Sequence, residues 1–148
     1  MKKILVPLDF SSVTDATLRT ATRLAEALSA EVVLLHVAAP EPEFVGYEAG
    51  PASVREAVAH QLAAEHKRLQ DLRQAMNLPH GRVKALAVQG YTVEKILDEA
   101  KRLPADLIIM GSHGHGGLHH LLMGSAAEGV LRKASCPVVL VPPERDQA

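Results

Sequence analysis

A glycine-rich segment between residues 111 and 125 carries the clearest chemical signal in the sequence. It reads Gly-Ser-His-Gly-His-Gly-Gly-Leu-His-His-Leu-Leu-Met-Gly-Ser, between a strand-like run at 107–110 and a helix-like run at 126–134. Glycine lets the backbone turn tightly and approach a phosphate closely, and a following helix N-terminus adds N–H groups and a positive dipole. The segment predicts a phosphate-binding loop. The alternative is an ordinary strand-to-helix connection rich in glycine.

Two common nucleotide-binding motifs do not fit this segment. A P-loop requires a lysine after its second glycine, and no lysine occurs between Gly111 and Arg132. The dinucleotide fingerprint G-x-G-x-x-G is also missing, and the loop follows the fourth predicted strand instead of the first. What remains is Gly111, two residues, Gly114, nine residues, and then Gly124 and Ser125.

That spacing resembles the ATP-binding pattern of the universal stress protein family, which is glycine, two residues, glycine, nine residues, glycine and then Ser or Thr. This chain matches every fixed position of the pattern. The chain resembles the same family elsewhere. Residues 3–9 (Lys-Ile-Leu-Val-Pro-Leu-Asp) are similar to its first strand, and residues 34–37 (Leu-Leu-His-Val) to its second. Residues 124–141 are similar to its last helix and strand, while residues 40–52 are much less diagnostic.

The resemblance implies a fold and a place for the ligand. The fold is an α/β three-layer sandwich of the Rossmann-like, adenine-nucleotide-binding type, with a five-stranded parallel sheet in the order 3-2-1-4-5 and about four helices. Ligands of open α/β sheets bind at the carboxyl ends of the strands, where the strand order reverses. In the implied order this point lies between the first and fourth strands, which end near Asp9 and Gly111.

The resemblance also implies which residues bind ATP, with or without Mg²⁺. Asp9 is expected to contact the nucleoside, and the backbone of Val37 the adenine edge. Amides near Gly114, Gly124 and Ser125, with the Ser125 hydroxyl, are expected to hold the phosphates. Ser125 also fits a capping box with Glu128, a role that needs no ligand. The complete predicted set is Pro7, Asp9, Val37, Met110, Gly111, Gly114, Gly124, Ser125 and Ala126.

The histidines of the loop depart from the family pattern. Relatives often carry arginine where this chain has His115, His119 and His120, and Ala126 replaces a common valine. Neutral imidazole offers phosphate less charge than guanidinium does. Together with His113 these residues could bind a metal, but no thiolate or carboxylate lies near them in sequence, so we expect no metal site. The scattered His36, His60, His66 and His80 are predicted to be surface or partly buried polar residues.

Hydrophobic periodicity predicts the elements that position this loop. Apolar runs at 4–8, 32–37, 83–88, 107–110 and 138–141 predict five strands, and helical periods lie between them. Alternating strands and helices predict a parallel sheet covered on both faces. The predicted helical faces include Leu28 and Leu131, and Ser12 with Asp15 is predicted to cap the first helix. Residues 39–52 predict a long loop containing Phe44 and Tyr47, which is either a surface excursion or a flap over a ligand.

Bulk properties limit the class of protein. The 148 residues suffice for one domain, 1–148, and the net charge of −1 gives no reason to expect binding to nucleic acid. No apolar run is long enough for membrane insertion. The single Cys136 cannot form an internal disulfide, which favours a reducing cytoplasm.

The chemistry favours a regulator over an enzyme. Phosphoryl transfer needs charge neutralisation and usually a metal held by carboxylates, whereas the motif offers a cradle, Asp9 and no lysine. We therefore expect no catalytic residues, and a cytoplasmic ATP-binding stress-response protein that responds to nucleotide. Two alternatives stay open: a slow ATPase or nucleotide hydrolase, and an interaction module without nucleotide.

The last predicted strand indicates how two chains could associate. Residues Val138, Val139, Leu140 and Val141 carry no charge, and the resemblance implies that this strand lies at the sheet edge. An unprotected edge exposes unpaired backbone groups, which antiparallel pairing with a second copy would satisfy. The sequence predicts a homodimer, and the alternative is that the tail, 142–148, folds back over the edge.

Overall fold

The computed structural model describes residues 2–40, 52–79, 81–114 and 123–144. Over these residues five strands alternate with four helices. In chain order they are β1 (Lys3–Pro7), α1 (Thr14–Leu28), β2 (Glu31–Ala38), α2 (Ala52–Ala75), β3 (Val83–Gln89), α3 (Thr92–Arg102), β4 (Leu107–Gly111), α4 (Ser125–Lys133) and β5 (Val138–Val141). The five predicted apolar runs are thus confirmed as strands, with ends that differ by at most one residue.

The strands form one parallel sheet in the order β3-β2-β1-β4-β5, which confirms the predicted topology. Pro7 on β1 is in register with Leu35 on β2, while Leu5 is in register with Ile108 on β4. β1 and β4 are therefore neighbours, and the strand order reverses between them. β5 pairs with β4 and lies at one edge of the sheet, as predicted.

Two hydrophobic clusters cover the two faces of the sheet, because successive side chains of a strand point to opposite sides. On β2, Val32 and Leu34 join α1 and α2 in one cluster, whereas Val33 and Leu35 join α3 and α4 in the other. The molecule is therefore a three-layer α/β sandwich. Among the described residues, none of the helices has the length and apolar character needed to cross a bilayer.

Two residues predicted to be buried lie at the surface. Leu28, the last residue of α1, is 43% exposed, and Leu131 on α4 is 47% exposed. On α1 the buried positions are taken by Thr14, Thr17, Ala21 and Ala25, so two threonines replace leucine on the face that meets the sheet. The predicted helices are thus present, but not every apolar residue on their predicted inner faces is buried in the core.

The predicted cap of α1 is wrong. The N-cap residue is Val13, and no side chain caps this helix. Two turns precede the helix. In the first, the N–H of Ser11 donates to Oδ1 of Asp9 at 3.0 Å, and in the second, the N–H of Thr14 donates to the carbonyl of Ser11 at 3.1 Å. These two turns place Ser12 before the helix begins.

Candidate functional site

A crevice opens at the carboxyl edge of the sheet, where β1 and β4 lie side by side. Its volume is about 320 Å³, at the lower end of the range for small-molecule sites. The ends of β1, β2 and β4 line it together with the first residues of α1, α3 and α4. All nine predicted residues line this one crevice: Pro7, Asp9, Val37, Met110, Gly111, Gly114, Gly124, Ser125 and Ala126. Their contact with a ligand stays a prediction.

The glycine-rich loop is tied together at its base by one hydrogen bond. The N–H of Gly124 donates to the carbonyl of Ser112 at 2.6 Å, and the N–H of Ser112 donates to Val141 on β5 at 2.8 Å. A Cβ atom on Gly124 would lie 3.3 Å from that Ser112 oxygen, so the close approach favours glycine. The N–H of Gly124 is consequently occupied by Ser112 in this structure. His115, His119 and His120 lie outside the described residues, as does the proposed flap with Phe44 and Tyr47.

Asp9 and Gly114 meet across the crevice. A Cβ atom built on Gly114 would overlap Oδ2 of Asp9. The other carboxylate oxygen of Asp9 accepts the N–H of Ser11, in the side-chain-to-backbone turn that aspartate commonly forms. Asp9 is thus oriented by its own loop on one side and lies against the glycine loop on the other.

Helix α4 begins at the crevice, and its predicted capping box is wrong. Gly124 is the N-cap residue: its backbone angles are extended, and its carbonyl accepts the N–H of Glu128 at 3.0 Å. Glycine has no side chain, so this helix has no side-chain cap. Ser125 is therefore the first helical residue, and the Glu128 carboxylate instead pairs with Arg132 at 2.8 Å. In such a helix the N–H groups of the first residues have no acceptor within the helix. These residues, Ser125, Ala126 and Ala127, all line the crevice.

The described lining residues supply little side-chain charge. They include no lysine or arginine, and Asp9 is their one carboxylate. Thr14 is 7% exposed, and its hydroxyl has no hydrogen-bond partner in the described part of the molecule. The hydroxyl of Ser112 pairs with Nδ1 of His113 at 2.8 Å. An anion here would rely on backbone N–H groups and on the positive end of α4.

Residues outside the predicted set also line the crevice, and some of them could have been found from the sequence. Because helices that follow parallel strands begin at the carboxyl edge, the first turns of α1 and α3 were candidates as much as α4. Leu35 shares a face with Val37 through the period of two. These additional residues are Leu8, Val13, Thr14, Thr17, Leu35, Thr92, Ile96, Ser112, His113 and Ala127.

Cys136 and His36 are not among the residues that line the crevice. Within the described ranges no group of three or more His, Cys, Asp or Glu side chains could hold a metal ion. Cys136 packs partly buried against the α3–α4 cluster. Burial, and then the negative charge of Asp106, raise the pKa of the Cys136 thiol. His36 is 7% exposed, more deeply buried than the sequence predicts.

The sequence model of the Universal stress protein family matches residues 1–142. The chain belongs to this family. It is 30% identical over 142 residues to universal stress protein MJ0531 of Methanocaldococcus jannaschii, a match that covers 95% of this chain and 81% of that protein. The solved structure of MJ0577 is 32% identical, with a TM-score of 0.79 and 98% of each chain covered.

More distant members of the family have been solved with adenine nucleotides. A universal stress protein in complex with cAMP is 19% identical, has a TM-score of 0.70, and covers 97% of this chain and 98% of its own. A universal stress protein from Archaeoglobus fulgidus in complex with dAMP is also 19% identical, has a TM-score of 0.59, and covers 95% of this chain and 98% of its own. At this level of identity the likeness shows the shared fold.

Proposed function

We propose that the crevice binds an adenine nucleotide, with ATP as the ligand and with or without Mg²⁺. We also propose that the protein acts in the cytoplasm as a nucleotide-responsive stress regulator. One observation carries the proposal: a glycine loop tied at its base leads into helix α4, whose first N–H groups lie at a crevice of about 320 Å³. This arrangement offers N–H donors and a helix dipole to phosphate, with no lysine or arginine among the described lining residues.

The remainder of the crevice suits a flat, apolar base. Leu35 and Val37 on β2, Ile96 on α3 and Met110 on β4 line it, and Leu35, Ile96 and Met110 are at most 5% exposed. Apolar walls with a few convergent polar groups are typical of nucleotide and cofactor pockets. The cAMP and dAMP complexes of relatives support an adenine nucleotide as the class of ligand.

The same inventory supports binding over catalysis. Rapid phosphoryl transfer requires cationic groups and usually a metal held by several carboxylates. The described residues that line the crevice include one carboxylate, that of Asp9, and no lysine or arginine. A slow ATPase is the alternative function, and an interaction module without nucleotide is the second.

Calorimetric titration of the purified protein with ATP, alone and with Mg²⁺, tests the proposal directly. We expect saturable binding of ATP, and nucleotide that co-purifies should be identified in the same preparation. Phosphate release from ATP separates the regulator from the hydrolase. Absence of binding for ATP, ADP and AMP would contradict the proposed function and leave the interaction module.

We further propose that the protein is a homodimer through β5. The carbonyl of Pro137 accepts the N–H of Ile108 on β4 at 3.0 Å, and that of Val141 accepts the N–H of Ser112, the residue after β4, at 2.8 Å. Since backbone groups of a strand alternate in direction, those of Val138 and Leu140 point away from β4. A two-fold axis beside Val139 would pair these outward groups with the same residues of a second chain.

The alternative is that the tail folds back over the edge of β5, and the position of residues 142–144, its described part, is relevant to it. Glu144 forms an ion pair with Arg19 on α1, in the layer above one face of the sheet. Up to Glu144 the chain thus reaches the helical layer. This favours an accessible β5 edge.

A further inference from the structure

His36 lies on β2 with both ring nitrogens engaged. Nδ1 is 2.9 Å from the carbonyl oxygen of Leu8, which follows β1, and Nε2 is 3.1 Å from Oε2 of Glu65 on α2. The imidazole is thus fixed between the loop that carries Asp9 and the helical layer. Its side chain is 9% exposed and that of Glu65 is 23% exposed.

The two hydrogen bonds together require a proton held between His36 and Glu65. A carbonyl oxygen can only accept, so Nδ1 of His36 must carry a hydrogen. Nε2 then either carries a second hydrogen, which it donates to the Glu65 carboxylate, or accepts the hydrogen of a protonated Glu65. Both forms contain one proton between Nε2 and Oε2, and without it a lone pair would face a carboxylate oxygen.

The loop between β1 and α1, which His36 contacts through Leu8, has an unusual backbone. Phe10 has a φ of 62°, in the left-handed region that residues other than glycine seldom adopt. Its ring centroid lies 4.4 Å from that of His36, and the guanidinium carbon of Arg68 lies 4.8 Å from its ring centroid. His36 therefore contacts the residues on both sides of Asp9, Leu8 through a hydrogen bond and Phe10 through its ring.

We propose that Glu65 and His36 are positioning residues of the nucleotide site: the proton they share holds the loop that places Asp9 against Gly114. This rests on the proposed function, because it assigns the pair a role in the same crevice. The charged groups around the imidazole are Glu65 and Arg68 from α2 and Asp9 in the loop between its two contacts, whereas its register partner on β3 is Ala87. Loss of the hydrogen bond to Glu65 frees the imidazole and loosens the loop, so nucleotide affinity falls when no hydrogen-bonding side chain stands at position 65.

Glu65 allows an informative substitution. In Glu65→Gln the side-chain amide can donate to a neutral Nε2, while Nδ1–H still donates to Leu8. The amide oxygen can keep accepting from Gln61, whose Nε2 lies 3.1 Å from Oε1 of Glu65. This variant therefore retains both hydrogen bonds of His36. Glu65→Ala removes the one to α2, and Glu56→Gln, at an exposed position on the same helix, is the matched control for the lost charge.

The first measurement uses the protein without nucleotide. ¹⁵N NMR of the imidazole should show a hydrogen on Nδ1 of His36, and the Gly114 amide resonance should shift in Glu65→Ala relative to the wild type. In Glu65→Gln and in Glu56→Gln the resonance should stay at its wild-type position. A bare Nδ1, or a Gly114 amide resonance that is unchanged in Glu65→Ala, would overturn the proposal.

The second measurement is the ATP affinity of the wild type and of the three variants under one set of conditions. The histidines of the glycine loop are present in all four proteins, so they do not contribute to the differences. We expect Glu65→Ala to bind about tenfold more weakly, the equivalent of one charged hydrogen bond, and Glu65→Gln and Glu56→Gln to bind as the wild type does. Equal affinity of Glu65→Ala and wild type, or a loss in Glu65→Gln as large as in Glu65→Ala, would overturn the positioning role. If none of the proteins binds ATP, the proposed function fails, and the Gly114 resonance alone decides whether His36 and Glu65 position the loop.

Discussion

The carboxylate of Asp9 lies where a Cβ atom of residue 114 would have to be, so Gly114 and Asp9 are matched in space. The two residues follow different strands, β1 and β4, which are adjacent only because the sheet order reverses between them. Glycine at position 114 therefore permits this close contact with the β1–α1 loop, since a side chain there would displace the Asp9 carboxylate. This gives the glycine motif a structural role that exists before a ligand arrives.

Replacing Gly114 or Gly124 with valine should abolish ATP binding. The added side chain fills the space of Asp9 in the first case and approaches the Ser112 carbonyl, 3.3 Å from the new Cβ, in the second. Calorimetry measures the loss, and circular dichroism with a thermal melt verifies that the variants fold. Unchanged affinity in a folded variant would contradict the phosphate-cradle hypothesis.

Asp9→Ala should weaken ATP binding by less, about 1–3 kcal/mol, because it removes one polar contact. The double variant Asp9→Ala/Gly114→Ala tests the contact between the two residues. Removing the carboxylate makes room for the new methyl group, so the combined loss should be smaller than the sum of the two single losses. Strict additivity would show that Asp9 and Gly114 do not meet in solution.

ATP should bind more tightly at mildly acidic pH if the loop histidines stand where relatives carry arginine. Protonation of His115, His119 or His120 near the usual histidine pKa of about 6.5 adds positive charge beside phosphate, so affinity should rise as pH falls. The measurement is ATP affinity between about pH 8 and about pH 6.

The triple substitution of these histidines with glutamine is the control for that experiment. It should remove the pH dependence that the loop histidines contribute. Equal pH dependence in the triple variant and the wild type would show that the loop side chains point away from the phosphates.

Val139→Lys or Leu140→Lys should convert a dimer into a monomer, because charge on an edge strand opposes pairing with a second edge. Sedimentation velocity at micromolar concentration reports the change. Both side chains also pack against the hydrophobic clusters, so a thermal melt must accompany the measurement.

Ala87→Lys places the same charge on β3, at the opposite edge of the sheet, where residue 87 is exposed. It should leave the dimer intact. A wild-type protein that sediments as a monomer would refute the dimer altogether.

Cys136 should react slowly with iodoacetamide at neutral pH. Burial first, and the Asp106 carboxylate second, raise the pKa of its thiol, and only the thiolate is the nucleophile. The alkylation rate should be below that of free glutathione at neutral pH and should keep rising as the pH is increased. Asp106→Asn removes the neighbouring negative charge, so the thiol pKa should fall and the rate should increase. An alkylation rate in the wild type equal to that of glutathione would contradict this.

The strands and the crevice were predictable for physical reasons that the helix caps do not share. Buried parallel strands are continuous apolar runs, so their positions follow from composition, as for residues 107–110 of β4. The sheet order followed from a family resemblance, and with it the placement of Asp9 and Gly111 at one crevice. The caps failed because Gly124 and Val13, and not the neighbouring serines, became the N-cap residues once nearby turns had formed.

The His36–Glu65 pair could not be predicted, because it depends on contacts between distant residues. The two residues are 29 positions apart, and neither lies in a recognisable motif with the other. The left-handed conformation of Phe10 is equally invisible in sequence, since phenylalanine seldom adopts it. Local patterns indicate which residues lie at the carboxyl edge, whereas the contacts that hold them there need the three-dimensional structure.

A hydrogen bond between Ser112 and Gly124 joins the two residues that flank positions 113–123, and the bond from Ser112 to Val141 ties both of them to the sheet. Segments closed at the base in this way tolerate replacement and changes of length. Grafting the corresponding segment from a relative would transfer ligand preference onto this scaffold while leaving strand pairing untouched.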